Sequence, residues 1–158
     1  MSPDSAHELT LTTPRLRLAA RAWGPEGAPP VLALHGWLDN AASFDRLAPL
    51  LPGLRIVALD HAGHGRSEHR GHGTYHFIDF VADAIAAAAA LGWGRFAVLG
   101  HSLGAGVAAL LAGALPERIS RLVLLEGLGP LTEAPERAPA RLREALEAEL
   151  RPERAPRR

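Results

Sequence analysis

A serine hydroxyl does chemistry only where the backbone presents it, so the first residues to weigh are those around Ser102. The run Phe96-Ala97-Val98-Leu99-Gly100-His101-Ser102-Leu103-Gly104-Ala105-Gly106-Val107 leads an apolar, strand-like stretch into G-x-S-x-G and directly into a small, apolar, helix-like stretch. A turn tight enough to lift a serine above a sheet leaves no room for side chains two residues before and two after it. Gly100 and Gly104 occupy those positions, which makes Ser102 a candidate nucleophile. A helix beginning there aims its first amides and its positive dipole end at any oxyanion that develops, and the Leu103 amide is the first donor. A rival pattern overlaps this one. Gly104-Ala105-Gly106-Val107-Ala108-Ala109 fits the dinucleotide fingerprint G-x-G-x-x-A, with Glu126 twenty residues after Gly106. The fingerprint glycine should follow its strand at once, whereas Gly100 to Leu103 intervene here, so the nucleophile reading is preferred.

Three further clusters surround the elbow in the sequence. His35-Gly36-Trp37-Leu38-Asp39-Asn40 closes the apolar run Val31 to Leu34. In a hydrolase, a His-Gly loop at such a strand end turns a backbone amide toward the nucleophile, and Trp37 is the candidate second donor by position. His35 reads as a brace for that loop rather than a catalytic group. Asp60-His61-Ala62-Gly63-His64-Gly65-Arg66-Ser67 closes the next strand-like run as a tight turn whose polar residues stabilise the loop. His69, His72 and His76 could offer three metal ligands, with Asp79 a possible fourth. A glycine-rich loop without an intervening carboxylate is a poor cage, and no metal is expected.

The elements that must position these groups alternate. Glu8 to Thr12 and Arg15 to Trp23 alternate apolar and polar residues, as half-buried hairpin strands do. Val31 to His35, Arg55 to Asp60, Arg95 to Leu99 and Arg121 to Leu125 are short apolar runs of the kind buried on both faces. Between them, helical character is expected over Ser43 to Leu51, His76 to Leu91 and Ser102 to Leu115. The second places Phe77, Phe80, Val81, Ala84, Ile85 and Ala88 on one face, with Asp79 and Asp83 elsewhere on the wheel. The third is nearly uncharged, reads as buried, and ends at Pro116. Alternation of this sort predicts an α/β fold: a mostly parallel sheet with helices on both faces.

H-G-W-L-D-N at 35–40, D-x-x-G-H-G-R-S at 60–67 and G-H-S-L-G-A-G at 100–106, in that order, resemble the α/β-hydrolase superfamily. The stretch His35 to Phe44 together with Leu125-Glu126-Gly127-Leu128-Gly129-Pro130 is more specifically similar to its serine-hydrolase-like branch. The resemblance implies an eight-stranded sheet of which this chain supplies strands one to six only. It also implies a Ser…Asp/Glu…His order of the triad. Glu126, at the end of the sixth strand where a subset of the superfamily carries its acid, is the candidate orienting carboxylate, with a structural capping role as the alternative. The eight histidines are His7, His35, His61, His64, His69, His72, His76 and His101, and none follows Ser102. His101 lies in the elbow with its side chain expected to point away from the hydroxyl. The implied activity is a serine hydrolase for esters or similar small acyl substrates, incomplete in this chain. A non-catalytic hydrolase-like binding protein is the alternative.

The chain has 158 residues, 47% of them hydrophobic, which suffices for one core. Formal charge is zero with interspersed signs, so neither nucleic acid nor a membrane surface is an expected partner. No cysteine is present, which excludes disulfides and thiolate metal sites. No cofactor is implied, and a cytoplasmic location is the default expectation. Residues 1–130 read as the N-terminal part of the hydrolase core, and 131–158 as the start of a cap or an exposed helical tail. All 17 basic residues are arginine, and the ending is rich in arginine and proline, which fits a truncated or frameshifted hydrolase. The Leu122 to Leu125 strand is expected to form an exposed apolar edge, through which the chain could form homo-oligomers.

Overall fold

The computed structural model describes residues 6–71, 75–127, 135–137, 139–140 and 143. Six strands form one sheet: β1 (His7–Thr12), β2 (Arg17–Trp23), β3 (Pro30–Leu34), β4 (Arg55–Leu59), β5 (Phe96–His101) and β6 (Ile119–Leu125). Their spatial order is β1-β2-β4-β3-β5-β6. The β1–β2 and β2–β4 pairs are antiparallel, and β3–β4, β3–β5 and β5–β6 are parallel. The expected α/β class and the six strands are therefore present. Most of the expected cap or helical tail at 131–158 lies outside the described residues, as does Leu128-Gly129-Pro130.

Alternate residues of the central strands feed two cores, as a strand of period two must. On one face Leu32, Leu34, Val57, Leu59 and Val98 pack with Phe80, Ala84, Val107 and Leu111 of the helices α1 (Phe77–Ala90) and α2 (Leu103–Ala114). On the other face Val31, Ala33, Ile56, Ala58 and Leu99 pack with Trp23 and Phe44. All five β4 residues are buried, which is why that run carries no alternation in the sequence.

Three expectations need correction. The stretch Ser43 to Leu51 forms two short 3-10 turns, Ala41–Phe44 and Ala48–Leu50, rather than a helix. Asn40 starts the first by accepting from the Ala42 amide, and Pro49 removes a donor that a continuous helix would need. Asp83 is not on a solvated face. It is buried beside Arg70, whose guanidinium bonds its carboxylate directly. Burial pushes the Asp83 carboxyl up while that guanidinium pulls it back down. Finally, α2 is buried only through Gly104 to Ala108 and at Leu111, and its last turn faces solvent. Pro116 follows it, as expected.

Candidate active site

Strand register sets the site. Leu34 of β3 pairs with Gly100 of β5, and Gly100 pairs with Leu124 of β6. The loops after β3, β5 and β6 therefore leave the sheet at one level, at its carboxyl edge. The chain leaves β3 toward β4 and then crosses to β5 and β6 on the opposite side, so the strand order reverses between β3 and β5. Open α/β sheets bind ligands at such a reversal.

Ser102 sits at that reversal with φ 50° and ψ −109°, exposed to solvent, at the N-cap of α2. The flanking glycines are sterically required. A Cβ on Gly100 would fall 2.3 Å from the Gly104 carbonyl oxygen, and one on Gly104 would fall 2.1 Å from that of Leu34. The Ser102 amide donates to the Leu125 carbonyl (2.9 Å) and the Gly104 amide to that of His35 (3.1 Å), so the elbow is tied to both neighbouring strand ends. The Leu103 amide has no helical turn before it to satisfy it.

Backbone strain marks the same place independently of any motif. Among the described residues, three non-glycine residues have positive φ: Leu38 at 56°, Ser102 at 50° and Glu126 at 56°. Each follows the carboxyl end of β3, β5 or β6 by at most four residues. Strain of this kind costs about 1–3 kcal/mol per residue and collects where function requires it.

The His35–Asn40 loop is braced as expected. The Nε2 atom of His35 accepts the His61 amide (3.0 Å), so the ring proton sits on Nδ1, which donates to the Gly36 carbonyl (2.7 Å). Burial holds the imidazole below its ordinary pKa, and therefore neutral. With the Gly36 carbonyl fixed on that side, planarity of the peptide turns the Trp37 N–H the opposite way. Gly36 itself lies against the elbow, where an added Cβ would stand 3.1 Å from Nδ1 of His101 and 3.5 Å from the Ser102 Cβ.

The turn after β4 is organised by Asp60. One carboxylate oxygen accepts the Ala41 amide (2.6 Å) and the other the Arg66 amide (2.8 Å). The Ser67 hydroxyl donates to the Asp60 carbonyl (2.6 Å) and accepts the Ala19 amide (2.8 Å). A Cβ on Gly65, at φ 52°, would collide with the Asp60 carboxylate. His61 is fully buried between His35 and Phe80, with ring centroids at 4.5 and 5.2 Å, and burial pushes its pKa well down.

Glu126 lies where the sequence places it, but its visible partner is one that the sequence reading passed over. Its Oε2 accepts from Nε2 of His101 (2.9 Å). The β5–β6 register pairs His101 with Leu125 and so brings the next residue alongside, which no pattern in the sequence reports. Beside this pair a groove of about 240 Å³ runs between Asp39, Ser43, Phe44, Leu47, His101 and Leu125. The Ser43 hydroxyl holds the Asp39 carboxyl below the usual range there.

The dinucleotide reading loses its support. Gly104 and Gly106 lie inside α2, packed beneath the elbow, instead of in a loop that could receive a pyrophosphate. Of the histidines at 69–76, His72 lies outside the described residues. His69 bonds the Tyr75 hydroxyl (3.1 Å), and His76 joins Asp79 in capping α1. No metal-binding group of three His, Cys, Asp or Glu side chains occurs among the described residues.

The sequence model of the alpha/beta hydrolase fold family matches residues 29–148. The human protein called serine hydrolase-like protein is 47% identical over 127 residues, which cover 79% of this chain and 63% of that one. A crystal structure of a hypothetical protein from Pseudomonas aeruginosa PAO1 is 57% identical, with a TM-score of 0.85 over 90% of this chain and 51% of that one. The thioesterase domain of the curacin biosynthetic pathway is 28% identical, with a TM-score of 0.80 over 96% of this chain and 54% of that one. The chain thus spans between about half and two thirds of the length of these relatives.

Proposed function

Since the chain belongs to the α/β-hydrolase fold family, we propose that it carries the nucleophile side of a serine acyl-hydrolase site for esters and similar small acyl compounds. The observation that carries this reading is the backbone of Ser102, held at φ 50° between two glycines that no other residue could replace without collision. A thioesterase among the structural relatives supports the acyl substrate class.

In this reading the Ser102 Oγ attacks the acyl carbon, the leaving-group oxygen departs with a proton, and water later releases the acyl group. The Trp37 and Leu103 amides hold the oxyanion, and Glu126 is the acid of the constellation. A base is also required. No histidine follows Ser102 in this sequence, and His101 is engaged by Glu126. The chain alone then retains only what the oxyanion site and binding supply, on the order of 10³–10⁴ over water.

Added imidazole can stand in for the base. With p-nitrophenyl butyrate and imidazole, an acid-quenched sample should carry a butyryl group on the Ser102 peptide by mass spectrometry, and Ser102→Ala should not. Without imidazole, nitrophenol release should be negligible and nearly equal in the two proteins. Robust release that Ser102→Ala abolishes would place a base elsewhere in the chain. An unlabelled serine would favour the non-catalytic binding protein.

A further inference from the structure

Of the three strained residues at the site, Ser102 and Glu126 have chemical groups that explain their presence, and Leu38 does not. Leu38 occupies the third position of the turn Gly36-Trp37-Leu38-Asp39, which the Asp39 amide closes onto the Gly36 carbonyl (3.4 Å). A positive φ at that position is glycine's or asparagine's place, because an L side chain there crowds the following carbonyl. The leucine gains nothing from packing in exchange, since it is 80% exposed. Its neighbour Trp37 is 58% exposed, with its indole leaning edge-on against His64 at 5.2 Å. Two large apolar side chains are thus held in water by the loop that touches the Ser102 elbow through Gly36. Two residues span at most about 7 Å, so Leu38 stays within that reach of Gly36, the residue that borders the Ser102 elbow.

From this geometry we infer that Trp37 and Leu38 form an apolar clamp for the acyl chain of the substrate, selecting linear alkyl chains over short or polar acyl groups. The inference rests on the nucleophile reading of Ser102 and names the substrate class of that site. A flexible surface loop would carry glycine at position 38. A leucine fixed there by strain supplies apolar surface in a set place, ready before the chain arrives. Apolar ligands gain from such preorganisation because the site need not be ordered on binding. The clamp touches the chain from one side, so each added methylene should tighten binding about twofold, against roughly fourfold for a methylene buried completely.

The test uses the whole chain and unreactive neutral acyl mimics, the linear amides from butanamide to octanamide. Binding is followed by tryptophan fluorescence, to which exposed Trp37 contributes beside buried Trp23 and half-buried Trp93, and is checked by calorimetry. In the wild type, affinity should rise about twofold per methylene. In Leu38→Gly and Leu38→Asn the series should flatten, while the thermal midpoint stays equal or rises because both residues accept positive φ. A flat wild-type series, or an undiminished slope in Leu38→Gly, overturns the clamp. Acylation of Ser102 in imidazole is read separately, so a labelled serine with a flat series rejects the clamp alone. A rising series with an unlabelled serine supports the clamp and rejects the nucleophile.

Discussion

Ser102 shows how much of a site's cost can sit in one residue. Its backbone occupies a region that suits glycine, it lies exposed on the surface, and its side chain makes no capping bond to α2. Replacing it by glycine removes strain and little else. Ser102→Gly should therefore stabilise the fold by about 1 kcal/mol in urea unfolding, whereas Ser102→Ala should leave stability nearly unchanged. Gly104 is its opposite. There the neighbour is the Leu34 carbonyl, part of a buried strand that cannot withdraw, so Gly104→Ala should cost at least about 2 kcal/mol. A stabilising Ser102→Gly beside a crippling Gly104→Ala would identify strain held for function at one position and packing at the other. Equal effects of both would remove that distinction. Histidine 61 adds a pH dependence of its own. Burial depresses His61 strongly and His35 less so, and both are neutral in the fold. The unfolded chain takes up protons near pH 6.5, while the folded chain does so only at lower pH. Stability should hold above about pH 7.5 and fall as pH drops through 6.5, by at most about 1.4 kcal/mol per unit for each histidine. His64, Asp60 and Asp39 lie near enough to modulate the slope. His61→Leu should flatten it by one histidine's share in urea midpoints compared at pH 7.5 and 5.5. An unchanged slope would mean that His61 is not the titrating group.

At the level of elements, legibility followed the distance over which a residue's partner lies. Strands β3 and β4 were readable because two-sided burial leaves an apolar run in the sequence, and α1 because its core face repeats at the helical period. The elbow was readable because its steric demands fall on residues two positions away. The segment 41–51 was not, since apolar spacing alone does not separate a helix from two 3-10 turns interrupted at Pro49. Asp83 misled for another reason. Its partner Arg70 sits in the loop before α1, and nothing in the period of the helix reports a buried ion pair with a residue outside it. The partnership of His101 with Glu126 depends on the register between β5 and β6, which hydrophobic pattern does not encode. Leu38 belongs to the H-G-W-L-D-N motif, yet its positive φ is a property of the turn closed by Asp39 and becomes visible only in three dimensions.

At the scale of the whole molecule the two sheet edges differ. The β1 edge is built from His7, Glu8, Thr10 and Thr12 among its apolar residues, and Glu8 pairs with Arg21 and Arg66 across its surface. Polar and charged side chains of that kind discourage a second strand from adding on. The β6 edge has Arg121 and then Leu122, Val123 and Leu125, exposed by 40, 48 and 40%. Alternation places Leu122 on the helix-covered face and Val123 and Leu125 on the other, so β6 is apolar to both sides of an outer edge that no strand among the described residues covers. The formal net charge of zero leaves no long-range repulsion to keep copies apart. We therefore expect β6 to pair with β6 of a second copy about a two-fold axis, which satisfies both edges at once. Light scattering should then report a mass above that of the 16.8 kDa monomer at micromolar concentration. Val123→Lys, which puts a charge at the centre of the edge without touching the Ser102 loop, should shift the equilibrium toward monomer while leaving amide binding intact. A wild-type protein that stays monomeric and unfolds in one cooperative step would show that this edge is covered, and that its leucines and valine serve a contact within the chain.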